Sequence, residues 1–187
     1  MRVYLAGPDV FLPAPFARAE ALKEVCARHG LRGVSPLDAL ADEPDSWAGL
    51  SEARQIALRN EAHIRSCQAL IANLTPFRGP SADAGTVFEV GFARALGLPV
   101  FGWSNDARLF AERTHAFLGG GAVRAGDGWR DAEGLLVEDF ALADNLMIEG
   151  AVLASGGELV VGDVPEAARW RDLDAFARLV AALARGR

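Results

Sequence analysis

At 187 residues with 51% apolar side chains, the chain is long enough to bury a core in one compact domain without a metal or disulfide as a staple. A net charge of -6 and a pI near 5.1 exclude a surface built to neutralise nucleic-acid phosphates, and point to a small-molecule ligand. Cys26 and Cys67 have neither zinc-knuckle nor redox-pair spacing and read as buried thiols in a reducing cytoplasm. The opening Met-Arg-Val-Tyr-Leu-Ala-Gly lacks the apolar core and cleavage site of a secretion signal. No stretch reaches the roughly 18 continuous apolar residues of a membrane span. A cytoplasmic protein that touches neither membrane nor nucleic-acid polymer is therefore expected.

In chain order, Arg2 to Ala6 predicts a buried strand stopped by Gly7-Pro8. From about Ala14 to His29 apolar residues recur at helical spacing, and Gly30 closes the helix. Leu31 to Val34 is a second strand, Asp38 to Trp47 an acidic loop, and a helix runs from Ser51 to about Ser66. Ala69 to Asn73 is the third strand, Thr75 to Pro80 a turn-rich loop, and a helix follows from about Asp83 to Leu96, ended by Gly97 and Pro99. Val100 to Trp103 gives a fourth strand. Asn105 to about Phe140, with Gly119-Gly-Gly, reads as a long excursion over the surface. Asp144 to Leu153 is helical, Glu158 to Val161 a fifth strand, and Leu173 to Ala184 an amphipathic helix that ends a single domain spanning residues 1–187. Strands alternating with helices predict an α/β fold of the flavodoxin-like or Rossmann-like kind: a parallel sheet of about five strands, helices on both faces, and a ligand beyond the C-terminal strand ends.

The segment from Asn73 to Gly91 carries the chemistry, because it joins a strand end to a helix at that binding edge. Glu89 stands among Val87, Phe88 and Val90, so its carboxylate has apolar neighbours whichever face meets the sheet. Gly85, one turn earlier, leaves the carboxylate open from above, since helical side chains lean toward the N-terminus. Asp83 reads both as the helix N-cap and as a second carboxyl group. Six residues turn a helix by roughly 240°, so Asp83 acts from the helix entrance rather than from the face of Glu89. Two carboxyl groups beside one glycosidic bond suit N-glycoside cleavage, one attacking the anomeric carbon and the other protonating the departing base. Tyr4, the only tyrosine, lies at the centre of the first strand, where it reads equally as an ordinary half-buried strand aromatic and as a hydroxyl that could reach the same edge to hold the attacking carboxylate.

Tyr4-Leu-Ala-Gly-Pro with Phe11, then Asp83-Ala-Gly-Thr-Val-Phe-Glu89-Val-Gly, then Asp144-Asn-Leu-Met147 resemble, in order and spacing, the three signature regions of nucleoside 2-deoxyribosyltransferases. The resemblance covers roughly residues 1 to 150. It implies Glu89 as a nucleophile that forms a deoxyribosyl ester, Tyr4 as the residue orienting it, and Asp83 as the acid that protonates the base. Asn73 falls on a base-contacting polar position, and Gly7, Phe11 and Gly85 count with the substrate contacts. Asn145 and Met147 would reach a neighbouring subunit's site at the sugar's 5′ end, which implies a homo-oligomer with shared sites. The substrates implied are deoxynucleosides and free nucleobases, and no metal or organic cofactor is implied. His29, His63 and His115 are scattered over unlike segments and support neither a triad nor a metal site.

Two alternatives remain at this stage. One is an N-glycoside hydrolase of (deoxy)nucleoside 5′-monophosphates, with Arg78 and Ser81 as possible phosphate contacts; Ala82-Asp83 standing where related nucleotide enzymes carry paired glycines argues against it. The other is a non-catalytic nucleoside- or nucleotide-binding module, against which the joint presence of Glu89 and Tyr4 speaks.

Overall fold

The computed structural model describes residues 1–126 and 128–186, which leaves Asp127 and Arg187 outside the description. In chain order the elements are β1 (Arg2–Ala6), α1 (Pro15–Arg28), β2 (Arg32–Val34), α2 (Glu52–Arg65), β3 (Ala69–Asn73), α3 (Ala84–Ala95), β4 (Val100–Ser104) and α4 (Phe110–Phe117). They continue with β5 (Val123–Ala125), β6 (Gly128–Arg130), β7 (Leu136–Val137), α5 (Leu146–Ala154), β8 (Leu159–Val161) and α6 (Asp174–Arg185). A single 3-10 turn, Pro8–Phe11, follows β1 directly.

Five of these strands form one parallel sheet in the order β2-β1-β3-β4-β8, the expected α/β architecture. The order reverses between β1 and β3, so the loops leaving these two strands diverge and open a crevice at their C-terminal ends. β3 and β4 are buried along their whole length, as near-continuous apolar runs must be when helices cover both faces. Alternation along β1 sends Val3 and Leu5 into one core, with Phe101, Trp103, Leu22 of α1 and Phe176 and Leu179 of α6. It sends Tyr4 and Ala6 into the other, with Leu70, Ile64 of α2, Val90 of α3 and Val152 of α5. Strand parity thus decides that Tyr4 points toward α3.

Helix ends follow local chemistry. Asp83 caps α3, with its side chain accepting from the Thr86 amide, and Gly30 (φ 70°) lets the chain turn out of α1. The fifth helix begins two residues later than Asp144, because Asn145 takes the cap and its side chain accepts from the Met147 amide. The excursion after Asn105 is more ordered than expected. It holds α4, whose Glu112 side chain closes on the Leu109 amide at 2.7 Å, and a separate antiparallel sheet β5-β6-β7. Strands of two or three residues are too short for a two-residue period to register in the sequence. Trp129 of this small sheet packs edge-on against His115 of α4, with ring centroids 4.4 Å apart.

Phe176 is 1% exposed and lies 5.6 Å from the Trp103 ring, whereas Phe16 at the start of α1 is 68% exposed. Truncating Phe176 to Ala is expected to cost about 3–5 kcal/mol, and Phe16→Ala no more than about 0.5 kcal/mol. Urea unfolding of the two variants checks this; similar losses would mean that α6 does not seal the core.

Candidate active site

Glu89 lies in the second turn of α3 and is 8% exposed. The Tyr4 hydroxyl donates to its Oε1 at 2.6 Å. A second donor, Asn60 Nδ2 of α2, approaches the same oxygen at 3.4 Å. Both fall on Oε1, and no hydrogen-bond donor among the described residues reaches Oε2. Burial lifts the Glu89 carboxyl from its ordinary 4.5 to about 7; the Tyr4 hydrogen bond pulls the other way, and the charge of Asp83 adds to the rise. Tyr4 is itself pushed well above its ordinary value by burial and by the charge of Glu89, so it stays a donor.

Asp83 serves the helix with one oxygen only. Its Oδ2 accepts from the Thr86 amide at 3.0 Å and from the Thr86 hydroxyl at 3.1 Å, while Oδ1 has no partner among the described residues. A cavity of about 540 Å³, within the range that takes small-molecule ligands, is lined by Gly7, Phe11, Asp83, Gly85 and Glu89. Five residues singled out in the sequence therefore share one space. Tyr4, fully buried, stands behind Glu89 and holds it from the sheet side. A side chain at Gly85 would put its Cβ 3.1 Å from Asp83 Oδ2, so glycine keeps the two carboxyl groups open to a common ligand.

The opposite wall was not legible in the sequence. Ile56, Arg59 and Asn60 of α2 form it, and Arg59 is held by a forked ion pair to Glu43 at 2.9 and 3.0 Å. Helical spacing marked α2, but nothing in the sequence marks which of its polar residues face a ligand.

Asn73 sits elsewhere. It is 1% exposed, its Nδ2 donates to Asp9 Oδ2 at 2.8 Å, and its Oδ1 accepts from the Thr75 amide at 3.1 Å. Its amide thus ties the end of β3 to the turn after β1, and it does not line the Glu89 cavity. Asp9, which the sequence reading passed over, completes this tie through Arg18 at 2.7 Å. A Cβ at Gly7 would fall 2.7 Å from that of Asn73, which is why the crossing needs glycine.

Phe11 is 56% exposed and stacks on Phe77 at 5.4 Å, with the Arg78 guanidinium over both rings. Ser81, considered above with Arg78 as a phosphate contact, is engaged, since its hydroxyl donates to Asp144 at 2.5 Å. Asn145 and Met147 line a separate cavity of about 930 Å³ with Val87 and Gly91 of α3, and Met147 is 72% exposed. His63 is buried with Nε2 beside the Asp38 carbonyl, and both cysteines are free and buried.

A family model described as nucleoside 2-deoxyribosyltransferase matches residues 3–147, a span holding all the singled-out residues, and the chain belongs to that family. An uncharacterized protein of Schizosaccharomyces pombe is 34% identical over 188 residues, covering 95% of this chain and 89% of its own. Among solved structures, the 2-desoxiribosyltransferase from Leishmania mexicana superposes with a TM-score of 0.65 at 31% identity, covering 96% of each chain. A conserved protein from Enterococcus faecalis V583 shares the fold at 20% identity, with a TM-score of 0.58 over 98% of each chain.

The raised Glu89 value carries a consequence for stability. Its folded value of about 7 exceeds the ordinary 4.5, so the stability it leaves intact below about pH 4.5 is lost as pH rises through about 7. Glu89→Gln, which keeps an acceptor for Tyr4 but cannot ionise, is expected to gain on the wild type between pH 5 and 8 by on the order of 1–3 kcal/mol. Denaturant unfolding of both proteins across that range checks it; a pH-independent difference would count against a buried, ionising Glu89.

Proposed function

We propose that this protein transfers a 2-deoxyribosyl group from one nucleobase to another, with retention at the anomeric carbon, through an ester on Glu89. The observation that carries this reading is the contact of Tyr4 with Glu89, which lines the cavity: it occupies Oε1, fixes the carboxylate and leaves Oε2 without a donor among the described residues. A carboxylate oxygen without a hydrogen-bond donor is a nucleophile once it is ionised.

In the first half-reaction Oε2 forms a bond to C1′ of a deoxynucleoside as the bond from C1′ to the base nitrogen breaks. Asp83 delivers a proton to the departing base. In the second half-reaction an incoming base attacks C1′, the ester bond breaks back to the Glu89 carboxylate, and Asp83 recovers a proton from the new base. Two inversions at one carbon give net retention. A sugar without a 2′-hydroxyl suits this path, because that group would withdraw electrons from the oxocarbenium-like transition state. Phe11, at the cavity mouth, offers a ring face to the base. Neither half-reaction calls for a metal or cofactor.

The reading includes a homo-oligomer in which Asn145 and Met147 meet the 5′ end of a sugar held by a neighbouring copy. Their place on a cavity apart from Glu89 and the exposure of Leu146, Met147 and Leu153 along α5 support it. No helix among the described residues is long and apolar enough to cross a membrane, and we place the activity in the cytoplasm, acting on free deoxynucleosides and bases as a salvage reaction.

Deoxyinosine incubated with free adenine is expected to yield deoxyadenosine, and Glu89→Ala to abolish it. Chromatography distinguishes the outcomes: free deoxyribose without a new nucleoside would replace transfer by hydrolysis, and no turnover of any base pair would leave a binding module. Asp83→Asn separates the two duties of that residue. Asn caps helices as well as Asp, so unfolding free energy should change by less than about 0.5 kcal/mol. Exchange should meanwhile slow by about 10²–10⁴-fold, the usual worth of a general acid. A parallel loss of stability and rate would reduce Asp83 to a cap.

A further inference from the structure

The start of α5 is closed by the protein's own acidic groups. Glu138, immediately after β7, spends both carboxylate oxygens there: Oε2 accepts from Asn145 Nδ2 at 2.7 Å and Oε1 from the Leu146 amide at 2.7 Å. Asp144 Oδ1 accepts from the Asn145 amide at 2.7 Å, Asn145 Oδ1 from the Met147 amide at 3.0 Å, and Glu149 Oε2 from the Ala143 amide at 2.9 Å. The backbone N–H groups of residues 143, 145, 146 and 147 are therefore all taken, three of them by carboxylates. A free helix N-terminus attracts phosphate through unpaired N–H groups and the positive end of its dipole; here both attractions are cancelled. Asp144 is matched by buried Arg113 at 3.8 Å, so Glu138 and Glu149 set the local charge. Arg94, the cation on the cavity that Asn145 and Met147 line, lies toward the other end of α5, where it donates to the Ala151 carbonyl at 3.4 Å, while Arg124 lines a different cavity together with Glu138 and Asp139.

We propose that Glu138 is a positioning and specificity-determining residue: it fixes the Asn145 amide in one orientation and bars a phosphate from the start of α5. The sugar's 5′ end is then accepted as a free hydroxyl and refused as a 5′-phosphate. This rests on the reading above, in which Asn145 meets that end of the sugar. With Glu138 taking one Nδ2 hydrogen and the Met147 amide bound to Oδ1, Asn145 keeps its second Nδ2 hydrogen for a hydroxyl oxygen. The small antiparallel sheet acquires a purpose, since β7 delivers Glu138 to this point.

The test compares kcat/KM for deoxyinosine and deoxyinosine 5′-monophosphate, with adenine as acceptor, in wild type, Glu138→Gln and Glu138→Asp. Wild type should prefer the nucleoside. Glu138→Gln should reduce that preference at least about tenfold, chiefly by improving the monophosphate, while Glu138→Asp should retain it. Salt at about 0.5 M should weaken the preference in wild type and leave Glu138→Gln unaffected. If Glu138→Gln slows both substrates equally, the residue is only structural and the proposal fails while base transfer stands. Wild type preferring the monophosphate overturns the proposal in the same way. Wild type exchanging neither substrate overturns both readings together.

Discussion

One hydrogen bond organises the site: the Tyr4 hydroxyl on Glu89 Oε1 at 2.6 Å, made between a strand and a helix 85 residues apart in sequence. A carboxylate is costly to bury, and a protein that buries one must compensate or let it protonate. Here compensation is partial. Tyr4 lowers the cost, the carboxyl still titrates near neutrality, and the second oxygen is left without a partner among the described residues. An inert core would have finished the job with a cation or with a donor to Oε2. Stopping short holds the group in place and leaves one oxygen open, and the cost appears as lost stability rather than lost order.

The rest of the fold can be read as support for that arrangement. The parallel sheet with its order reversed between β1 and β3 provides the crevice, and the crossing of Asn73, Gly7 and Asp9 locks its two lips together. Asp83 starts α3 and thereby fixes where Glu89, six residues on, will face. Because the same side chain both ends the loop and borders the cavity, helix geometry and cavity chemistry cannot drift apart. α2 supplies the far wall, anchored by the ion pair of Arg59 with Glu43.

Much of this was legible in the sequence, for identifiable reasons. β3 is five consecutive residues buried at both faces, so its limits are sharp, and α3 carries its own start and stop signals in Asp83 and Gly97. Glu89 was conspicuous as a charge among Val87, Phe88 and Val90. Asn60 was not, because an asparagine in an ordinary amphipathic helix looks the same whether it faces water or a carboxylate. Asn73 was placed at the right strand end, but sequence does not reveal that its amide is consumed by Asp9 and Thr75. The β5 to β7 sheet left no periodic trace, and Glu138 matters only through contacts to residues seven and eight positions later.

Strand alternation on β1 has a last implication, which concerns quality control. Tyr4 reaches Glu89 only because it pairs with Val34 and Leu70 and so falls on the α3 side of the sheet. A slip of one residue would exchange the two faces, bringing Val3 or Leu5 opposite the carboxylate. Such a molecule would still collapse around apolar side chains, yet its carboxylate would have no phenol to restrain it. The contact of Tyr4 with Glu89 thereby reports strand register directly, and under the proposed mechanism the active fraction of a refolded sample would follow the fraction that paired correctly.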